Sequence, residues 1–151
     1  MSTPGGAQHT ILIVDDNPQL LGILEEALTE YGNFTIVTAP DGITGLERFY
    51  EFRPDCVVID VKMPKLNGYQ LVRTLRGDLA TAATPLILLT AMVQDRDRFD
   101  GLASGVDQYL SKPIKPSELI TAIHSAIAMG EDEREQRLAE MLNADLPPET
   151  E

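Results

Sequence analysis

The chain is short of cysteine, of basic residues and of long apolar runs, and each shortage closes off a class of protein. Its single cysteine, Cys56, has no disulfide partner and no metal-ligand spacing around it. Lying in the apolar run "CVVID", it reads as a small buried thiol without a chemical role. Twelve Lys and Arg face 24 Asp and Glu, for a formal charge of −12. With no basic stripe and no interleaved aromatics, the chain by itself has little with which to neutralise phosphates, so nucleic-acid binding is not expected of it. No stretch approaches the roughly 18 consecutive apolar residues of a membrane span. The opening "MSTPGGAQHT" lacks the basic start and apolar centre of a signal peptide, so a cytoplasmic protein away from membranes is expected.

What the chain does hold is enough apolar material, 43% of 151 residues, to fill one core, and a single domain is the expectation. Charge is uneven along it. From Glu131 to Glu151 there are eight acids and two bases, a net −6 and so half of the total, which marks residues 130–151 as an acidic tail or linker. Within it Leu138, Met141 and Leu142 are spaced to line one side of a short helix that Pro147 and Pro148 would stop. Residues 1–9 read as a flexible leader, leaving residues 10–129 as the folded body.

Across that body, short runs rich in branched residues alternate with stretches of helical period, the pattern of five βα units and a parallel sheet. The strand candidates are "TILIV", "FTIV", "CVVID", "LILLT" and "VDQYL", each apolar enough to be covered on both faces. The first helix opens after Asn17 and Pro18, carries Leu20, Leu21, Leu24, Ala27 and Leu28 on its inner side and ends near Gly32. The last runs from "KPSEL", with Ser117 placed as its cap, along Leu119, Ala122, Ile123, Ala126 and Ile127, and closes before Gly130.

In an open parallel sheet the carboxyl ends of the strands converge on one edge, and ligands sit there where the strand order reverses. The polar residues of this sequence fall at those ends: Asp15 and Asp16 after the first strand, Asp60 at the end of the third, Thr90 at the end of the fourth and Lys112 after the fifth. Singly, each is an ordinary turn, cap or surface residue; together they make a site. Three carboxylates brought close repel and raise one another's pKa unless a cation shares the space. Mg²⁺ suits such a place, because it takes one or two protein carboxylates plus phosphate oxygens, and Lys112 is a point charge for an anion.

The stretches "ILIVDDNP", "VVIDVKMPKLNG", "LILLTA" and "YLSKP" resemble the receiver domain of two-component response regulators, over residues from about Thr10 to Met129. The resemblance implies a flavodoxin-like, doubly wound five-stranded parallel sheet in the order 2-1-3-4-5 with helices on both faces. It implies that Asp60 is the phosphoacceptor and that Asp15, Asp16 and Asp60, with the backbone carbonyl of Lys62, hold Mg²⁺. Lys112 becomes the phosphate partner, Thr90 the switch hydroxyl and Tyr109 the aromatic that turns inward on activation. Lys62 and Met92, two residues after Asp60 and Thr90, stand where the family tunes hydrolysis of the acyl phosphate.

The implied function is a phosphorylation-activated switch that takes its phosphoryl group from a sensor histidine kinase or a histidine phosphotransfer protein. It acts on no separate substrate, and its output is a change of downstream protein partner through the face of the fourth helix, fifth strand and fifth helix. There Asp95, Arg96, Asp97 and Arg98 could pair in a phosphorylation-dependent homodimer. Two other readings compete. A haloacid dehalogenase phosphatase also uses an Asp nucleophile and Mg²⁺, but its nucleophile ends the first strand with a second Asp two positions on, where this chain has Asn17. A binding-only receiver usually lacks part of the acidic pair, the acceptor or the lysine, all of which are present. His9 and His124 have no supporting group nearby in sequence for phosphotransfer.

Overall fold

A computed structural model describes residues 8–63, 66–78, 81–91, 106–129, 136 and 139. The elements run β1 (Thr10–Val14), α1 (Pro18–Gly32), β2 (Thr35–Ala39), α2 (Gly42–Phe52), β3 (Cys56–Asp60), α3 (Gly68–Gly77), β4 (Leu86–Thr90), β5 (Gln108–Ser111) and α4 (Pro116–Ala128), the last being the fifth helix of the sequence reading. The strands form one parallel sheet in the order β2-β1-β3-β4-β5, as expected. The order reverses between β1 and β3, so the residues that follow these two strands face a common cleft.

Alternation of side chains along the strands feeds two cores. On one face Leu12, Val14, Val57, Ile59, Leu86 and Leu88 pack with Phe49 of α2 and Leu71, Val72 and Leu75 of α3. On the other, Ile11, Ile13, Val58, Ile87 and Leu89 pack with Leu21, Leu24 and Leu28 of α1 and Leu119, Ile123 and Ala126 of α4. Cys56 is fully buried in this second core, as its surroundings in sequence predict. Burial on both faces holds for β1, β3 and β4, but β2 and β5 are only partly covered, because each ends the sheet. Both also begin later than their apolar runs: Phe34 is buried ahead of β2, and Val106 is buried ahead of β5.

Helix ends follow from local chemistry. Asn17 caps α1, its side chain accepting from the backbone N–H of Gln19 and Leu20, and Asn33 ends that helix in the left-handed region at φ 59°. Asp41 caps α2 through the N–H of Thr44 at 2.7 Å, which accounts for the polar end of the second strand. The expected Ser117 cap is a correction: with Pro116 as the first helical residue, Ser117 lies inside α4, and Glu118 instead reaches back to the Lys115 N–H at 3.4 Å. In the acidic tail Gln136 and Ala139 are helical and exposed. Among the described residues no helix is long and apolar enough to cross a membrane.

Candidate functional site

Asp15 and Asp16 follow β1, and Asp60 is the last residue of β3. Parallel pairing of β1 with β3 sets Val14 beside Ile59, so the chain leaves both strands at nearly the same level. One oxygen from each of Asp15, Asp16 and Asp60 lies within 4.8 Å of the others. Asp15 and Asp60 are buried and Asp16 is exposed, which gives the cluster one open side. Asp15 is oriented by the N–H of Asn17, which donates to its Oδ1 at 2.9 Å, so the residue that caps α1 also fixes a carboxylate of the site.

Lys112 closes the group from the far end of the chain. Its Nζ lies 3.1 Å from Asp15 Oδ2 and 3.0 Å from Asp60 Oδ1. Its backbone N–H donates to the Thr90 carbonyl at 2.7 Å, which ties the turn after β5 to the end of β4, and the Lys112–Pro113 bond is cis. Burial, followed by the nearby Asp15, pushes the Asp60 carboxyl up to about 6 against the downward pull of Lys112. Burial alone would lower Lys112, but its hydrogen bonds and attraction to Asp60 and Asp15 raise it overall.

Gly68 lets α3 start close against this edge. A β-carbon there would run into the Asp60 carbonyl and come within 2.8 Å of Val61 Cα, while the Gly68 N–H donates to the Val61 carbonyl at 3.0 Å. The phosphoacceptor candidate is therefore held from its own backbone as well as by its neighbours.

Thr90 is buried at the end of β4, one position beyond Leu89, which stands level with Asp60. Tyr109 is half-buried on β5 level with Leu88, so the two-residue period of a strand puts it on the same face as Thr90, packed against the first core. Lys62 is exposed two residues after Asp60. Met92 and the Asp95–Arg98 stretch lie outside the described residues. His9 lies 4.0 Å from Asp55 before β1, at the other end of the sheet, and the His124 ring stands 5.1 Å from Phe34. Asn17 was named from sequence as a helix opening and not as part of the site, and Gly68 and the carbonyl of Thr90 were not singled out, although "DDNP" and "KLNG" hold the first two.

The model of the response regulator receiver domain family matches residues 11–124, most of the chain. The chain belongs to this family. Its receiver is 38% identical to the DNA-binding response regulator MtrA of Mycolicibacterium smegmatis over 132 residues, which are 87% of this chain and 56% of MtrA. The chain thus spans about half the length of such relatives. Among solved structures, the receiver domain of sensor histidine kinase PA1611 from Pseudomonas aeruginosa PAO1, with a magnesium ion coordinated in its active-site cleft, matches with a TM-score of 0.73 and 32% identity, over 82% of this chain and all of that one. Chemotaxis protein CheY4 of Vibrio cholerae matches with a TM-score of 0.72 and 28% identity, over 80% and 99%. These matches select the receiver over the haloacid dehalogenase phosphatase, and with it a family of phosphorylation-activated switches of two-component signalling that work with histidine kinases or phosphotransfer proteins.

Proposed function

We propose that Asp60 accepts the phosphoryl group. The observation that carries this is its place as a buried carboxylate 3.0 Å from Lys112 Nζ within the Asp15–Asp16–Asp60 cluster. An Asp60 oxygen attacks the phosphorus of a phosphohistidine, the P–O bond forms as the P–N bond breaks, and the histidine nitrogen leaves. Lys112 moves from pairing two carboxylates to donating to a phosphoryl oxygen. The donor set fits Mg²⁺: three hard oxygens gathered on an open side, with one cation against three acids. Asp15, Asp16, Asp60 and the Lys62 carbonyl would hold it, and bound there it supplies neutralisation of the charge collecting on the phosphoryl oxygens.

The new group adds about two negative charges and three acceptor oxygens. Thr90, one step from the level of Asp60, turns its hydroxyl toward one of them, and Tyr109 fills the space it leaves, a change that a small bias between populated states suffices to drive. Output is a new protein partner or a second copy of the chain, bound through the face of the fourth helix, fifth strand and fifth helix of the sequence. The protein turns over no separate substrate, works in the cytoplasm from residues 10–129, and leaves residues 130–151 as a tail or linker. Hydrolysis of the acyl phosphate is slow, because a charged Lys62 has no acceptor with which to align a water and Met92 can only crowd it.

The test is intact mass after incubation with acetyl phosphate and Mg²⁺. One phosphoryl group is expected in the parent and none in Asp60→Asn or after chelation of the metal; labelling that survives either change overturns the assignment.

A further inference from the structure

The end of the sheet away from Asp60 carries a second buried charge pair. Arg76 near the end of α3 and Asp107 just ahead of β5 meet at 3.2 Å, with side chains 10% and 1% exposed. The same Asp107 Oδ2 accepts from the N–H of Leu86, the first residue of β4, at 2.8 Å, and the Asp107 N–H donates to the Leu86 carbonyl at 2.8 Å. Arg76 Nη1 donates to the carbonyls of Ala82 at 2.9 Å and Thr84 at 2.7 Å. One guanidinium and one carboxylate thereby join the end of α3, its connection to β4 and the starts of β4 and β5 through charge-assisted bonds.

Those two strands carry the switch pair. Thr90 lies four residues beyond Leu86, and Tyr109 two beyond Asp107. β5 has four residues and pairs on one side only with β4, so few ladder bonds set its register and tilt. A displacement at Thr90 would be absorbed by slippage of so short a strand unless its origin were fixed.

We propose that Arg76 and Asp107 are positioning residues of the switch, a buried clamp that fixes the start of β5 on β4 so that movement of Thr90 reaches Tyr109. This rests on the reading of Thr90 and Tyr109 as the switch pair. Coupling of this kind needs an element with one fixed end, which the clamp supplies, and a far end that can change its arrangement, which is the part assigned to Tyr109.

The experiment is fluorine NMR of the full chain carrying 3-fluorotyrosine at its four tyrosines, with the Tyr109 resonance assigned from Tyr109→Phe. In the parent, beryllofluoride with Mg²⁺ is expected to shift that resonance. Asp107→Asn keeps an oxygen for the Leu86 N–H but loses the charge; it should take a full phosphoryl group from acetyl phosphate while the shifted fraction falls at least threefold. Arg76→Lys, which keeps the charge and loses the fork, should fall between, and Arg76→Gln repeats the comparison if Asp107→Asn does not fold. A parental shift in phosphorylated variants, even with a lowered Tm, overturns the clamp and leaves the switch pair standing. A parent whose Tyr109 resonance does not move overturns the switch pair and the clamp together.

Discussion

The two ends of this sheet each bury an aspartate beside a cation, and they use the pair in opposite ways. At the start of β4 and β5, Asp107 meets a guanidinium and a backbone N–H, and Arg76 Nη1 donates to two carbonyls, so one cation is matched to one anion inside a set of backbone hydrogen bonds. At the other end Lys112 is shared between Asp15 and Asp60 with Asp16 nearby, which leaves three acids to one base and an Asp60 carboxyl pushed up to about 6. Balanced charge holds a fold in place; unbalanced charge stores a demand that a ligand can meet. The difference separates a structural pair from a reactive one more sharply than burial does, since Asp60 and Asp107 are both largely shielded from water.

The largest expected effect is chemical. Asp60→Asn should lose phosphorylation entirely, whereas Asp107→Asn should be modified to the parental extent, as read by intact mass. Equal losses in the two variants would break the comparison.

Stability should respond in opposite senses. Arg76→Ala strands Asp107 in the interior and should cost about 3–5 kcal/mol in urea unfolding. Asp60→Asn, in metal-free buffer at pH 7, should instead be more stable than the parent, because it relieves a charge desolvated by burial and held beside Asp15.

The same contrast has a pH signature. The Asp60 carboxyl binds its proton more tightly folded than unfolded, at about 6 against 3.8, so below 3.8 the fold has its full advantage from this group and loses it as pH rises through about 6. Metal-free parent should therefore lose stability across that window, while Asp60→Asn should lack this component. Added Mg²⁺ should restore stability near pH 7 if the cluster binds it. A parent and variant with parallel pH profiles would place the strain elsewhere.

The smallest effect concerns lifetime. Lys62→Asn and Met92→Glu each introduce a group able to orient a water, and each should hasten decay of the phosphorylated form severalfold once the phosphodonor is removed. Unchanged decay in both would mean that neither position sets the rate.

Much of this was readable in the sequence. β1, β3 and β4 were located to the residue because strands buried on both faces leave continuous apolar runs between polar stops. The edge strands slipped by one or two residues because Phe34 and Val106 are apolar for packing rather than pairing. Asp15, Asp16, Asp60 and Lys112 could be assembled because parallel strands deliver their ends to one edge, so position along the chain stands in for position in space. Nothing comparable announces Arg76 and Asp107: they are 31 residues apart, fall outside any motif and owe their meeting to packing of α3 against the sheet.

The bond from Lys112 to Asp15 spans 97 positions. During translation, Asp15, Asp16 and Asp60 all leave the ribosome before the lysine that pairs with two of them has been added. A nascent chain carries the acids without their counter-charge until the last strand joins the sheet edge. The complete acid and base set of this edge is therefore assembled only when β5 has been added to the sheet.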